Sequence, residues 1–101
     1  MKKDNEMRVF ALAARMLKSV AHPVRIEIIN YLIKMQKVSV NDLKDKLKIT
    51  QSMTSQHLAV LKNVGIVDCD KQANVCYYFI RNKNILKLLD CVERCAKEHL
   101  I

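Results

Sequence analysis

Apolar residues recur along this chain at two periods, and the changes between them divide it. Up to Gly65 the spacing is three and four, the period of an amphipathic helix. After Gly65 it becomes two, the period of a strand, and beyond Asn82 it returns to three and four. The first helical stretch, about Asn5 to Val20, aligns Val9, Leu12, Ala13, Met16, Leu17 and Val20, and Phe10 and Ala14 broaden the stripe. In the second, AHPVRIEIINYLIKMQ, Pro23 falls at a first-turn position where its missing amide costs nothing, and His22 stands where a capping side chain belongs. Ile26, Ile29, Leu32 and Ile33 are its expected core face. After a polar turn and Val38, the segment SVNDLKDKLKI opens with Ser39 as N-cap and Asp42 three residues on, an acidic variant of the capping box. Leu43 and Leu47 anchor that short helix, and Lys44, Lys46 and Lys48 leave its other faces basic.

The stretch ITQSMTSQHLAVLKNVG, from Ile49 to Gly65, predicts a helix capped at both ends. Thr50 accepts from its first amides, Leu58, Leu61 and Val64 turn towards a core, and Gly65 supplies a left-handed C′ residue. Its first two turns expose Gln51, Ser52, Ser55 and Gln56. These amides and hydroxyls both donate and accept, as reading base edges in a major groove requires, although Ser and Thr are also common near ordinary caps.

Two helices joined by two or three residues, the second polar at its start, have the form of a helix-turn-helix. The alternating segments IVDCDK and VCYYFI, joined by QAN, predict a hairpin that must lean on the helices. A last helix from Asn82 carries Ile85, Leu88, Leu89, Val92, Ala96 and Leu100 over more than one stripe, so it is expected to pack on two things at once. The expected fold is mainly α with a small β-hairpin, in the order α-α-α-α-β-β-α. This is a winged helix-turn-helix, expected as one domain over residues 1–101.

Charge narrows the partner. Eighteen Lys and Arg against ten Asp and Glu give +8, a balance that favours polyanions such as double-stranded DNA. A membrane surface is not expected, because no helix sets a dense basic face against bulky aromatics and no segment reaches spanning length. The N-terminal MKKDNEMRVF places acids before any apolar run, unlike a secretory signal, so a cytoplasmic protein is expected. Cys69, Cys76, Cys91 and Cys95 then read as thiols rather than a disulfide framework. With one glycine, no phosphate loop and no nucleophile-base pair brought together by spacing, an enzyme is not expected.

Three stretches resemble the ArsR/SmtB family of bacterial winged-helix repressors: LKSVAHPVRIEIINYL from Leu17, ITQSMTSQHLAVLKNVGIV from Ile49, and the hairpin ending in YYFI. The resemblance implies a homodimer, with first and last helices forming the interface and two recognition helices entering successive major grooves of a pseudo-palindrome. It carries over Gln51, Ser52, Ser55 and Gln56 as DNA contacts, with Lys62, Lys71, Gln72 and Asn74 near phosphates or the minor groove. Asp68 and Asp70 depart from it, since relatives often have Arg in that strand and acids repel phosphate. A winged helix that binds DNA constitutively, or that binds proteins, is the alternative.

The resemblance also implies that a metal or a thiol reaction releases the DNA, which needs an effector site. Where the arsenic and cadmium sensors hold a cysteine pair, this chain has VSVNDL, with Ser39 and Asn41. At the positions of the zinc sensors' ligands it offers Asn82, Asn84, Cys95 and Glu98, and amides are poor zinc ligands. Cys91, Cys95 and His99 remain as a ladder at helical spacing. They either bind a soft metal ion or undergo thiol modification, or serve as packing. In the hairpin, a two-residue turn at Gln72 and Ala73 would set Cys69 opposite Cys76. A three-residue loop with Asn74 left-handed, the slightly favoured register, sets Cys76 opposite Asp70. His57 is expected to be a packed or DNA-proximal side chain rather than a ligand.

Overall fold

The computed structural model describes residues 2–101, so Met1 of the N-terminal stretch lies outside it. Among the described residues five helices and three strands follow one another: α1 (Lys2–Val20), α2 (Pro23–Met35), β1 (Val38–Ser39), α3 (Val40–Leu47), α4 (Gln51–Asn63), β2 (Val67–Gln72), β3 (Val75–Ile80) and α5 (Asn84–Leu100).

Local chemistry explains most boundaries. The α2 helix starts where His22 Nδ1 accepts from the Val24 amide at 3.1 Å, with Pro23 in the first turn. Ser39 Oγ accepts from the Asp42 amide at 3.1 Å and opens α3 as expected. Thr50 Oγ1 accepts from the Met53 amide at 3.1 Å and opens α4. At the far end of α4, Gly65 adopts φ 77°, its amide reaches the Lys62 carbonyl, and the Ile66 amide reaches Leu61. That pair of bonds is a Schellman stop, which satisfies two of the orphaned carbonyls.

The core gathers Ile28, Ile29 and Leu32 of α2, Leu43 of α3, Leu58 and Leu61 of α4, Ile66, Val67, Val38, and Ile85 and Leu89 of α5. On α2 the inward face differs from the expected one. Ile28 is fully buried while Ile33 is 40% exposed, because α2 turns Ile28, Ile29 and Leu32 together onto α4 and the sheet.

Two further expectations are corrected. The sheet has three strands in the order β1-β3-β2, since Val38 and Ser39 pair with Tyr78 and Tyr77. Two residues give too short a run for alternation to show, so this strand left no trace in the sequence pattern. The hairpin turn occupies Ala73 and Asn74, with Gln72 opposite Val75. Ala73 takes the left-handed conformation, φ 55°, despite its Cβ. Cys76 therefore faces Lys71 and Cys69 faces Tyr78, so neither expected register forms. The long alternating pairing through Val67 and Ile80 into the core outweighs the strain at one alanine.

Candidate nucleic-acid interface

Helix α4 has two faces. Thr54, His57, Leu58 and Leu61 are buried, whereas Gln51, Ser52, Ser55 and Gln56 are all exposed and lie on one side. The same strip continues through exposed Ala59 to Lys62, and exposed Met53 flanks it. Neither apolar residue stands out by polarity in the sequence, although apolar contact with thymine methyl groups is a recognised form of base readout. Short α3 packs behind α4, and Lys44, Lys48, Thr50 and Gln51 border one cleft at the turn between them, together with Asp45, which lies 3.5 Å from Lys44 and leaves Lys48, among the described residues, as the unpaired cation of that cleft. Lys48 thus flanks the start of α4, where a helix N-terminus and a cation together favour phosphate.

His57 fixes how α4 sits. Its Nδ1 accepts from Arg25 Nε at 3.1 Å, and Arg25 also donates to the Ser19 carbonyl at 3.3 Å. The His22 ring lies 4.8 Å away, centroid to centroid. Burial first, and then the charges of Arg25 and His22, hold His57 below its ordinary pKa. As expected, His57 is packed. Arg25 was missed, because nothing in a single sequence shows that a residue in α2 reaches one 32 positions later.

The wing extends beside α4. Lys71, Gln72 and Asn74 are exposed at or near its tip. Lys62 is exposed in the last turn of α4, where its Nζ lies 3.5 Å from Cys69 Sγ. That contact raises the Lys62 pKa. The two wing acids are paired: Asp70 accepts from Lys37 Nζ at 2.8 Å, and Asp68 lies 3.5 Å from Arg81. The Lys37 hydrogen bond and charge hold the Asp70 carboxyl below its usual range. Alternation sets both acids on the strand face opposite Cys69, Lys71 and Cys76.

Away from this surface, α1 and α5 leave apolar side chains in solvent. Val9, Phe10, Leu12 and Leu17 of α1 are 48–63% exposed, and Val92 of α5 is 50% exposed. Of the expected α1 stripe, Val20 is buried and Met16 partly so. Cys91, Cys95 and His99 are all exposed. Among the described residues, no group of three or more His, Cys, Asp or Glu is assembled that could hold a metal ion, and this ladder is no exception. None of the described helices is long and apolar enough to cross a membrane.

Known proteins share this fold. The family model described as "Bacterial regulatory protein, arsR family" matches residues 22–68, from the cap of α2 into β2. The transcriptional repressor PagR of Bacillus anthracis is 35% identical over 83 residues, which cover 79% of this chain and 83% of that protein. Among solved structures, HlyU from Vibrio cholerae N16961 superposes with a TM-score of 0.75 at 29% identity, covering 94% of this chain and 97% of that one. The homodimeric winged helix-turn-helix DNA-binding domain Mb0332 from Mycobacterium bovis gives a TM-score of 0.86 at 25% identity, over 96% of this chain and 89% of that one. Matched through its helix-turn-helix and across almost its whole fold, the chain belongs to the arsR family of bacterial regulatory proteins and is a winged helix-turn-helix, DNA-binding transcriptional regulator.

Proposed function

We propose that the chain acts as a cytoplasmic homodimer that represses transcription from a pseudo-palindromic operator, reading base edges with Gln51, Ser52, Ser55 and Gln56 of each copy. The observation that carries this reading is the division of α4: a core-locked inner face behind an outer face of exposed, hydrogen-bonding side chains. Lys62, Lys71, Gln72 and Asn74 supply the backbone contacts that hold the helix in register. Pairing of Asp68 and Asp70 with Arg81 and Lys37 reduces the repulsion that two acids would bring to phosphate.

The dimer is supported by the apolar faces of α1 and α5, which the described residues of one chain leave about half exposed. Such a partner places the two recognition helices about 34 Å apart, one turn of DNA. Any effector acts by favouring a different spacing. Within one chain Cys91, Cys95 and His99 do not form a metal-holding group, so a soft metal at α5 would have to draw on the second copy, whereas thiol modification would need neither.

Binding to operator and to random DNA, measured over a range of salt, tests the assignment of roles. Gln56→Ala and Ser55→Ala should each cost about 1–3 kcal/mol on operator and little on random DNA. Lys62→Ala should weaken both and flatten the salt dependence. Equal losses on both DNAs for all three variants would refute these roles.

A further inference from the structure

The wing carries a thiol cluster that the DNA-reading surface does not use. Cys69, half-buried on β2, lies 3.5 Å from the ammonium of Lys62, and Tyr78 faces it across the hairpin. Cys76 is its diagonal neighbour on the same face, directly opposite Lys71. Cys69 therefore lies beside Lys62 and Cys76 beside Lys71, while Asp68 and Asp70 of the same strand face the other way, towards Arg81 and Lys37. Ammonium groups beside a thiol draw anionic reagents to it and neutralise their charge as they approach.

The register rules out the simplest oxidation product. Diagonal neighbours in an antiparallel pair stand about 7–8 Å apart. A disulfide does not span more than about 7 Å between Cα atoms without backbone movement. Cys69 and Cys76 are thus placed for reaction with an external partner rather than with each other.

We propose that Cys69 is a modification site that exchanges with anionic low-molecular-weight disulfides, and that the adduct weakens DNA binding by capturing Lys62. The Cys69 thiol first gives its proton to solvent. Its sulfur then attacks one sulfur of the disulfide RS–SR, the Cys69–SR bond forms as the original S–S bond breaks, and RS⁻ leaves with the electron pair and takes a proton from water. Cys69 is oxidised and the departing half is reduced, so the disulfide is the only oxidant required. An adduct bearing carboxylates then occupies the junction of α4 and the wing. It pairs with Lys62 and sets negative charge where phosphate would lie. This consequence rests on the DNA-binding role proposed for Lys62; the reactivity of Cys69 does not.

The test treats the reduced full chain with glutathione disulfide and follows each cysteine by peptide mass spectrometry, with DNA binding measured in parallel. Cys69 should be modified before Cys91 and Cys95, although these are the more exposed thiols. Lys62→Gln should slow Cys69 about fivefold without changing the rates at Cys91 and Cys95. The modified wild type should bind DNA about tenfold more weakly than the reduced protein, and Cys69→Ser should bind like the reduced wild type and ignore the reagent. Earlier modification of Cys91 or Cys95, or a Cys69 rate indifferent to Lys62→Gln, would overturn the site. A selective Cys69 adduct that leaves DNA affinity unchanged would overturn its coupling to DNA. Failure of the reduced protein to bind any DNA would instead count against the DNA-contact reading, and the order of reactivity would still decide the thiol site.

Discussion

Arg25 Nε donates to His57 Nδ1 across 3.1 Å and ties the first turn of α2 to the inner face of the recognition helix. The bond requires an unprotonated Nδ1, and burial, Arg25 and His22 all lower the pKa of His57 from its ordinary 6.5. An unfolded chain therefore takes up a proton at this position before the folded one does. The contribution to stability is complete above about pH 6.5 and is lost as pH falls from there through the lowered folded value. The urea midpoint of the wild type should accordingly drop between pH 7 and pH 5 by more than that of His57→Gln. Parallel profiles would exclude His57 as the source.

Gly65 ends the recognition helix with φ 77°, and a Cβ built there would meet nothing within 4 Å. Gly65→Ala thus probes backbone conformation without a steric clash. It should destabilise the fold by about 1–2 kcal/mol, and each kcal/mol lowers the thermal midpoint by about 4–8 °C. Gly65→Asn should cost less, since Asn tolerates the left-handed region better. Calorimetry on the two variants decides the order.

Lys37 and Asp70 form an exposed ion pair at 2.8 Å. Pairs of this kind contribute little to stability. Asp70→Asn should leave the thermal midpoint almost unchanged, yet it removes a negative charge from the wing and frees Lys37. DNA affinity should rise at low salt, and the gain should shrink as salt is added. An affinity unaffected at every salt concentration would show that the wing stays clear of phosphate.

Val92 is half exposed on α5 and Leu17 similarly exposed on α1, so neither helps to fill the core of a single chain. Val92→Glu and Leu17→Glu should keep their helical circular dichroism while sedimenting as monomers. Operator binding should fall with the dimer, because the second recognition helix is no longer held at its spacing. Persistence of the dimer in both variants would place the interface elsewhere.

Much of the candidate interface was legible from short-range patterns. Thr50, Gly65 and the four polar residues of α4 act through bonds and exposures set within one helix, and periodicity alone separated their face from Leu58 and Leu61. The wing register was not legible. An alanine at a left-handed position argues against the turn that forms, and only the anchoring of Val67 and Ile80 in the core makes that turn the better compromise. Nor could the pairing of Asp70 be anticipated, because Lys37 lies 33 residues earlier and meets it only once β1 has joined β3.

By itself, the sequence determined the helices, the caps at Ser39 and Thr50, the exposed polar face of α4 and the family, because each depends on neighbours within a few positions along the chain. The tertiary structure alone decided which isoleucines of α2 turn inward, that a third strand exists, that Arg25 holds His57, and that Cys69 rests against Lys62. These relationships join residues on different elements. Their geometry follows from how the elements pack, and local periodicity carries no record of it.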